Sequence, residues 1–419
     1  MPSPMPNRKA TPPTPLFDRR PEWLALYRRT WEIAVANVEV PDNPAWLPQM
    51  TCMPGAGILW QWDSCFMALF SRYSNGLLSA LNNLDNLYRL QRADGYLSMA
   101  YRIQDDLEAY GERVNPPLYA WVEWEAFRFH GDPSRLQRVY PLLSRYYAWL
   151  KDHRRRNNGL YWFEDPGSSG MDNAPRGGYF ADGLKGSDLC FVDLSCQQIL
   201  SARHLALMAR VLRLDAEART WEQEADEVSA LVNRHCWSER TNFYYDCFTR
   251  GNPETHNSLL ANKTAAAFWA ILAGVAPRDR VQALVEHLLD PREFNTLHPV
   301  ATLSRDDPNY DPFGAYWRGS VWPPTNYMVC RGLWERGWPE VARDIAGRHL
   351  DRMAEVMANP AYDSIWECYA PEHPRPATRE EGKTVRDHFV GWSGLGPVAT
   401  LIETLIGLDF DAPANAVTY

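Results

Sequence analysis

The sequence predicts an all-α protein: a single (α/α)6 toroid of six inner and six outer helices, with long loops and a few short strands. Apolar residues return at helical spacing in twelve stretches, near 21–37, 63–73, 76–92, 117–130, 133–154, 191–213, 215–236, 260–274, 278–289, 320–336, 338–357 and 389–407. Strand-like alternation is scarce, and no linker splits the middle of the chain. The stretch 133–154 opens on Pro133-Ser134 and carries Leu136, Val139, Leu142, Leu143, Tyr146 and Leu150. In 191–213, Phe191, Leu194, Ile199, Leu200, Leu205, Met208 and Leu212 fall near one face. Pro277 and Pro339 read as early-helix prolines. Phe243–Phe248 and Gly159–Phe163 are the candidate extended pieces, the second after an Asn157-Asn158-Gly159 turn. The Gly/Pro-rich segments 165–187 and 303–320 are longer than a plain connection needs. Residues 1–18 hold six prolines and read as a flexible arm, leaving 19–419 as one domain.

Composition narrows the function. Hydrophobic residues are 45% and charged residues 23%, ordinary for a globular protein with a large core. Aromatics stand out, with 18 Trp, 20 Tyr and 15 Phe, side chains that suit sugar stacking as well as core packing. The net charge is −9 and no Lys/Arg run is present, which argues against a nucleic-acid partner. Eight cysteines, at 52, 65, 190, 196, 236, 247, 330 and 368, form no C-x-x-C pair and no zinc-type spacing with His, so neither a metal nor an organic cofactor is expected. Their apolar helical settings fit a reducing cytoplasm. No apolar run of membrane-spanning length occurs, and the first twenty residues lack the apolar core of a signal peptide. A small-molecule partner is expected, and a homo-oligomer is compatible with the sequence.

Several aromatic-rich segments carry candidate chemistry. In Leu59-Trp60-Gln61-Trp62-Asp63-Ser64-Cys65-Phe66, Asp63 or Ser64 has the credentials of a helix cap. A cap does not need two adjacent tryptophans, and a carboxylate binds vicinal hydroxyls through paired charge-assisted bonds, so Trp62 and Asp63 also read as a sugar platform with its hydroxyl acceptor. Asn115, before Pro116-Pro117, is either a cap or a contact. Tyr316-Trp317-Arg318-Gly319-Ser320-Val321-Trp322 places an arginine among aromatics, as a cation–π filler or as a fixed donor to substrate. Asp172 lies in Ser169-Gly-Met-Asp-Asn-Ala-Pro-Arg176 and Glu367 in Ile365-Trp366-Glu-Cys-Tyr-Ala-Pro371. Asp172 reads either as an Asx-turn residue or as a general acid kept protonated by an aromatic pocket. Glu367 reads either as a hydrogen-bonded structural group or as a base holding one water.

This combination resembles glycoside hydrolase family 63 and its trehalase-like relatives, nearest to the short bacterial mannosylglycerate and glucosylglycerate hydrolases. The matching pieces are Trp60–Phe66, Asn115–Ala120, Ser169–Arg176, Asn242–Asp246, Tyr316–Tyr327, Glu367–Pro371 and Phe389-Val390-Gly391-Trp392-Ser393, in the family's order. The resemblance implies a six-hairpin (α/α)6 barrel and an inverting mechanism, with Asp172 as general acid and Glu367 as general base. It implies substrate-binding positions at Trp60, Gln61, Trp62, Asp63, Asn115, Arg176, Tyr316, Trp317, Arg318, Trp322, Trp366 and Trp392. The chain departs from the family at Asn115, where Gln is frequent. It departs again after Pro371, where Glu372–Ala377 and a charged stretch through Arg386 replace a short Thr-Gly segment.

The expected reaction is hydrolysis of a small soluble α-glycoside by an inverting exo-acting enzyme. An anionic leaving group such as glycerate would require a local cation, with Arg176, Lys185, Arg318, Arg375 and Arg379 as candidates. A trehalase-like α-glucosidase acting on a disaccharide is the alternative within the class. A sugar epimerase on the same barrel would need a His pair facing the pocket; His298 and His388 lie near candidate loops. A silent sugar-binding protein would keep Trp62 and Asp63 and tolerate the loss of Asp172.

Overall fold

The computed structural model describes residues 10–16, 19–176, 188–249 and 259–419. All twelve expected helical stretches form within them. They are α1 (Pro21–Ala36), α2 (Gln61–Ser71), α3 (Leu81–Arg89), α4 (Tyr119–His130), α5 (Pro133–Arg154), α6 (Val192–Val211), α7 (Asp215–His235), α8 (Trp269–Leu272), α9 (Arg278–Leu289), α10 (Pro323–Glu335), α11 (Pro339–Ala358) and α12 (Gly396–Ile406). Two of them are irregular. The expected helix at 260–274 shrinks to a 3-10 turn, Ala265–Phe268, leading into α8. A 3-10 turn at Trp392–Leu395 leads into α12, which winds as a π-helix.

Packing separates the helices into two layers. Neighbours in the inner ring are α2–α4, α4–α6, α6–α8, α8–α10, α10–α12 and α12–α2, so the ring closes on itself. The sequence encodes this in its hydrophobic pattern. All eleven residues of α2 are buried, and Gly396–Thr404 of α12 are buried without a break. The outer helices bury one stripe: α7 keeps only Ala218, Glu224, Ala225, Val228 and Val232 from solvent. Close inner packing needs small residues. A side chain at Gly332 of α10 would begin 2.9 Å from the Leu272 backbone.

Five two-stranded antiparallel ribbons decorate the toroid among the described residues. The predicted strand Phe243–Phe248 appears as two pieces, Phe243–Tyr244 and Cys247–Phe248. Gly159–Phe163 contributes one bridge, Tyr161 to Arg155. The ribbon pairing Ile58–Trp60 with Ala100–Arg102 was not legible in the sequence, because three-residue strands carry almost no periodic signal. Of the proline-rich arm, residues 1–9, 17 and 18 lie outside the described residues. Residues 10–16 run without regular structure, with the Tyr27 hydroxyl donating to Pro13 O at 2.6 Å. Among the described residues no helix is long and apolar enough to cross a membrane. All eight cysteines are buried free thiols.

One end of the inner ring is joined by a buried charge network. Arg72 reaches Glu403 at 2.7 Å and Glu125 at 3.3 Å, and Arg331 reaches the same two carboxylates at 3.4 and 3.7 Å. The hydroxyls of Tyr73 and Tyr327 also donate to Glu403, at 2.8 and 2.9 Å. Arg331 also pairs with the half-exposed Glu335 at 3.0 Å, and α4, α10 and α12 are bound to the end of α2. Replacing Glu403 with alanine takes from Arg72 its nearest carboxylate, leaves Arg331 with Glu125 and Glu335, and leaves two phenols without their acceptor. Urea unfolding at pH 7 is expected to show a loss of about 3–5 kcal/mol; a loss below about 1 kcal/mol would mean the network contributes little.

Candidate active site

Glu367 and Asp172 line one cavity of about 330 Å³, together with Trp60, Trp62, Asp63, Asn115, Tyr316, Trp317 and Trp392. Most of the lining comes from loops that lead into inner helices: residues before α2, α4, α6, α10 and α12. The cavity therefore sits over the N-terminal ends of the inner ring. Two roomier clefts, of about 590 and 720 Å³, contain neither Asp172 nor Glu367. The larger adjoins the cavity through Cys52, Met53 and Arg386.

The ribbon that pairs Trp60 with Ala100 delivers the chain into α2, so Trp62 and Asp63 occupy the first turn of an inner helix. Asp63 is buried, and its Oδ1 accepts from the Cys52 thiol at 2.9 Å. Burial pushes its carboxyl up to about 7, with the Cys52 bond pulling the other way.

The loop bearing Asp172 is pinned on both sides. Gly170 has φ +79°, and a side chain there would begin 3.2 Å from the Trp62 ring, so only glycine lets the loop lie against that tryptophan. Asn115 Nδ2 donates to Ser168 O at 3.0 Å. Asn173 donates to Ala315 O and accepts from Trp317 N, both at 2.8 Å. Asp172 itself is open to the cavity while protein surrounds it otherwise. Burial, with the Glu367 charge second, pushes its carboxyl up to about 7. Water in the open cavity tempers that push, which strengthens when a ligand displaces the water.

Glu367 is buried and rich in donors. Its Oε1 accepts from Tyr316 Oη at 2.9 Å, and its Oε2 from Arg379 at 3.2 Å and Arg386 N at 3.3 Å. The backbone is held as firmly. Trp392 Nε1 donates to Glu367 O at 2.9 Å, and Glu367 N donates to Arg386 O at 2.9 Å. The Tyr316 loop takes its shape from a run of positive φ at Gly314, Ala315 and Tyr316.

Five expected substrate contacts fall behind the cavity wall or beside it. Arg176 is fully buried, with four bonds of 2.6–2.8 Å to Asp193 and Asp246, so it holds the loop and does not line the cavity. Gln61 is buried, donating to Pro116 O and accepting from Tyr146. Trp322 stacks beneath Trp317, ring centroids 4.0 Å apart, and supports it from the core. Arg318 turns to Asn309 O at 2.8 Å. Trp366 donates to Tyr362 O and lines the adjoining cleft. Lys185 lies outside the described residues. Cys52, Met53, Tyr110, Arg113 and Arg386 also line the cavity, though no sequence motif marks them. Arginines are spread along many loops of this chain, and nothing in the local sequence ranks Arg113 or Arg386 above the others.

His298 and His349 do form a pair, Nε2 to Nδ1 at 2.7 Å, but both are buried behind Tyr369 and neither lines the cavity. Burial pushes His349 down to about 3. An epimerase-like pair facing substrate is therefore not what these histidines make.

The toroid and its carboxylate-lined cavity define a glycoside hydrolase of the (α/α)6 class. Residues 57–389 match the family model for the mannosylglycerate hydrolase MGH1-like glycoside hydrolase domain, and the chain belongs to that family, within glycoside hydrolase family 63. Among curated relatives, an uncharacterized protein of Borreliella burgdorferi is 27% identical over 85% of this chain and 73% of its own length. The mannosyl-oligosaccharide glucosidase of Saccharomyces cerevisiae is 24% identical over 69% of this chain, but the match spans only 35% of that enzyme. Glucosylglycerate hydrolase of Mycolicibacterium hassiacum is 35% identical over 20% of each chain. Among solved structures, the GH63 mannosylglycerate hydrolase from Thermus thermophilus, in complex with glucose, superposes with a TM-score of 0.69, covering 89% of this chain and 99% of that one at 20% identity. The fold is thus the expected one.

The upward push on Asp172 has a stability consequence. A carboxyl that holds its proton more tightly folded than unfolded contributes stability fully below pH ~4, and that contribution is lost as pH rises through about 7. Thermal melts of the wild type and Asp172→Asn are expected to diverge from pH 4 to pH 8, the variant gaining relative to the wild type. Parallel curves would remove the burial argument.

Proposed function

We propose that the protein is an inverting exo-α-glycosidase acting on a small soluble α-glycoside such as mannosylglycerate or glucosylglycerate. The observation that carries this is the contrast between two carboxyls on one cavity: Asp172 pushed toward its protonated form, Glu367 ringed by donors. In the first subsite the sugar rests against Trp62 and Trp392, and Asp63 Oδ2 takes hydroxyls while Oδ1 stays with Cys52. Asp172 gives its proton to the glycosidic oxygen as the bond to the anomeric carbon breaks. Glu367 takes a proton from the water that attacks the opposite face. The products are one free sugar of inverted configuration and one alcohol, with both carboxyls reset by proton exchange. The two carboxyl groups are expected about 6.5–9.5 Å apart, the spacing that leaves room for that water.

The family membership supports the reaction class. The activities named for the relatives support both a glycerate glycoside and, through the yeast glucosidase, a larger glucoside. Arg113, Arg379 and Arg386 on the cavity wall suit an anionic leaving group. A trehalase-like reading draws on the neutral trehalase Nth1 from Saccharomyces cerevisiae, which shares the fold at a TM-score of 0.62. The proposal treats 19–419 as one catalytic domain, and the eight unpaired thiols support a reducing cytoplasm as its compartment.

Hydrolysis of mannosylglycerate, glucosylglycerate, trehalose and kojibiose, followed by proton NMR of the fresh product, tests the reading. One α-glycoside should release its glycosyl unit first as β-sugar, joined for trehalose by an equal amount of α-glucose from the leaving half; a glycosyl unit released first as α-sugar would exclude inversion. Asp172→Asn and Glu367→Gln are each expected to lose at least about 10²-fold in turnover while melting as folded proteins. Near-wild-type activity in either removes that residue from its role. The alkaline limb of kcat/KM should fall through about pH 7 as Asp172 loses its proton.

A further inference from the structure

The segment after Pro371, where the chain departs from its family's pattern, folds into a hairpin that touches both halves of the site. Arg379 N donates to Lys383 O at 2.7 Å and Gly382 N to Arg379 O at 2.9 Å, with Thr378 bridging Thr384 across the base. The hairpin is stitched down by Thr378 N to Phe313 O at 3.0 Å and by Tyr316 N to Thr378 O at 2.7 Å. From its tip two adjacent side chains diverge. Arg379 reaches Glu367 at 3.2 and 3.4 Å and lies 4.4 Å over the Tyr316 ring. Glu380 accepts from Asn173 Nδ2 at 2.6 Å, next to Asp172.

We infer that Arg379 is the positioning residue that selects Glu367 as the working base, and that the Arg379–Glu380 hairpin locks base and acid loops in one register. This rests on the reading of Glu367 as base. The cavity holds three carboxyls, Asp63, Asp172 and Glu367, which oppose one another's ionisation. Something must decide which stays charged. Asp63 meets a thiol, Cys52; Asp172 opens to the cavity and feels the Arg379 charge only through space. Glu367 is the one of the three that pairs directly with a guanidinium among the described residues, and a guanidinium cannot lose its proton. Arg386 gives Glu367 its main-chain N–H, while its side-chain charge acts on Asp63. The other titratable groups facing Glu367 are Cys52, Tyr316 and Cys368, all neutral near pH 7 because burial pushes each of them upward. Arg379 is thus the side-chain cation that sets the asymmetry, and it is partly open to the cavity, so ligand binding dehydrates and strengthens the pair.

Arg379→Gln, Arg379→Lys and Arg379→Ala in the full chain test this, with α-glucosyl and α-mannosyl fluorides as probes. Fluoride departs with little need of an acid, so these substrates report on the base. The expected result for Arg379→Gln is a kcat lower by about 10²-fold with KM within about threefold, and an acidic limb of kcat/KM moved to higher pH. Arg379→Lys should recover part of the turnover, and added guanidinium at non-denaturing concentration should restore turnover to Arg379→Ala. Turnover within twofold of wild type with an unmoved acidic limb overturns the inference. So does a loss that neither shifts the limb nor responds to guanidinium, which marks a merely structural contact. Should Arg379→Gln fail to fold, Arg379→Ala carries the same pH test. Glu367→Gln separates the two levels: full activity there sinks the reading of the base itself, whereas an inactive Glu367→Gln beside an unaffected Arg379→Gln sinks only this inference.

Discussion

The buried guanidinium of Arg176 is the constraint on which the site depends. It is wholly cut off from solvent and lies between Asp193, in the first turn of α6, and Asp246, next to the Cys247–Phe248 strand. One cation against two carboxylates leaves an excess negative charge in the core. The start of α6 absorbs it: Val192 N donates to Asp246 Oδ1 and Leu194 N to Asp193 Oδ1, both at 2.9 Å, where the helix presents unpaired N–H groups and the positive end of its dipole. The same guanidinium lies near Ser169 Oγ and the Met171 sulfur, so residues 169–176 close into a loop around a charge that has nowhere else to go. Asp172 takes its place in the cavity because Arg176 takes its place in the core. Loss of a buried partner in such a cluster typically costs about 3–5 kcal/mol, far more than any surface pair holding the loop would contribute.

The three carboxyls of the cavity differ by what faces them rather than by depth alone. Asp63 and Asp172 are both pushed up to about 7, and burial is the first cause for each. The inner-helix N-termini beneath them work in the other direction. At Asp63, buried in the first turn of α2, desolvation outweighs the pull of the helix end, worth about 0.3–1 kcal/mol to a nearby anion; at Asp172, which is open to the cavity, water screens the push. Asp63 is thus raised although it sits in a helix's first turn, whereas Asp172 sits in a loop well ahead of the first turn of α6.

The sequence carried the fold because the fold is repetitive. Stripes such as Leu136, Val139, Leu142, Leu143, Tyr146 and Leu150 announce a helix, whereas its place in the outer or inner ring shows only in the structure, as in the all-round burial of α2. Short ribbons carried too little pattern to be read. The site was legible as a set of motifs and illegible as a set of contacts. Arg176, Gln61, Trp322 and Trp366 sit in the same motifs as Asp172, Trp62, Trp317 and Glu367, yet each faces away from the cavity, because the residue next along a loop often serves the wall rather than the room. Motif density says where a site is; only the turn geometry, such as the positive φ at Gly170 and Tyr316, decides which side chain enters it. Cys52, Arg113 and Arg386 were missed for the converse reason: they enter the cavity from loops with no repeated residue pattern.

The hairpin after Pro371 shows how a departure from a family's pattern can be absorbed without loosening the cavity wall. A longer segment at the rim would ordinarily add freedom next to Glu367. Here it is closed by the Thr378–Thr384 bridge, turned at Gly382 with φ +78°, and held to the Tyr316 loop by main-chain bonds that do not depend on side-chain identity. What remains free to vary is the pair of side chains at its tip. Arg379 meets Glu367 and Glu380 meets Asn173, so between them the two reach Glu367, the Asp172 loop and Trp317 through contacts of 3.4 Å or less. A rim built this way can vary at its tip while the main-chain bonds that hold it to the Tyr316 loop stay the same.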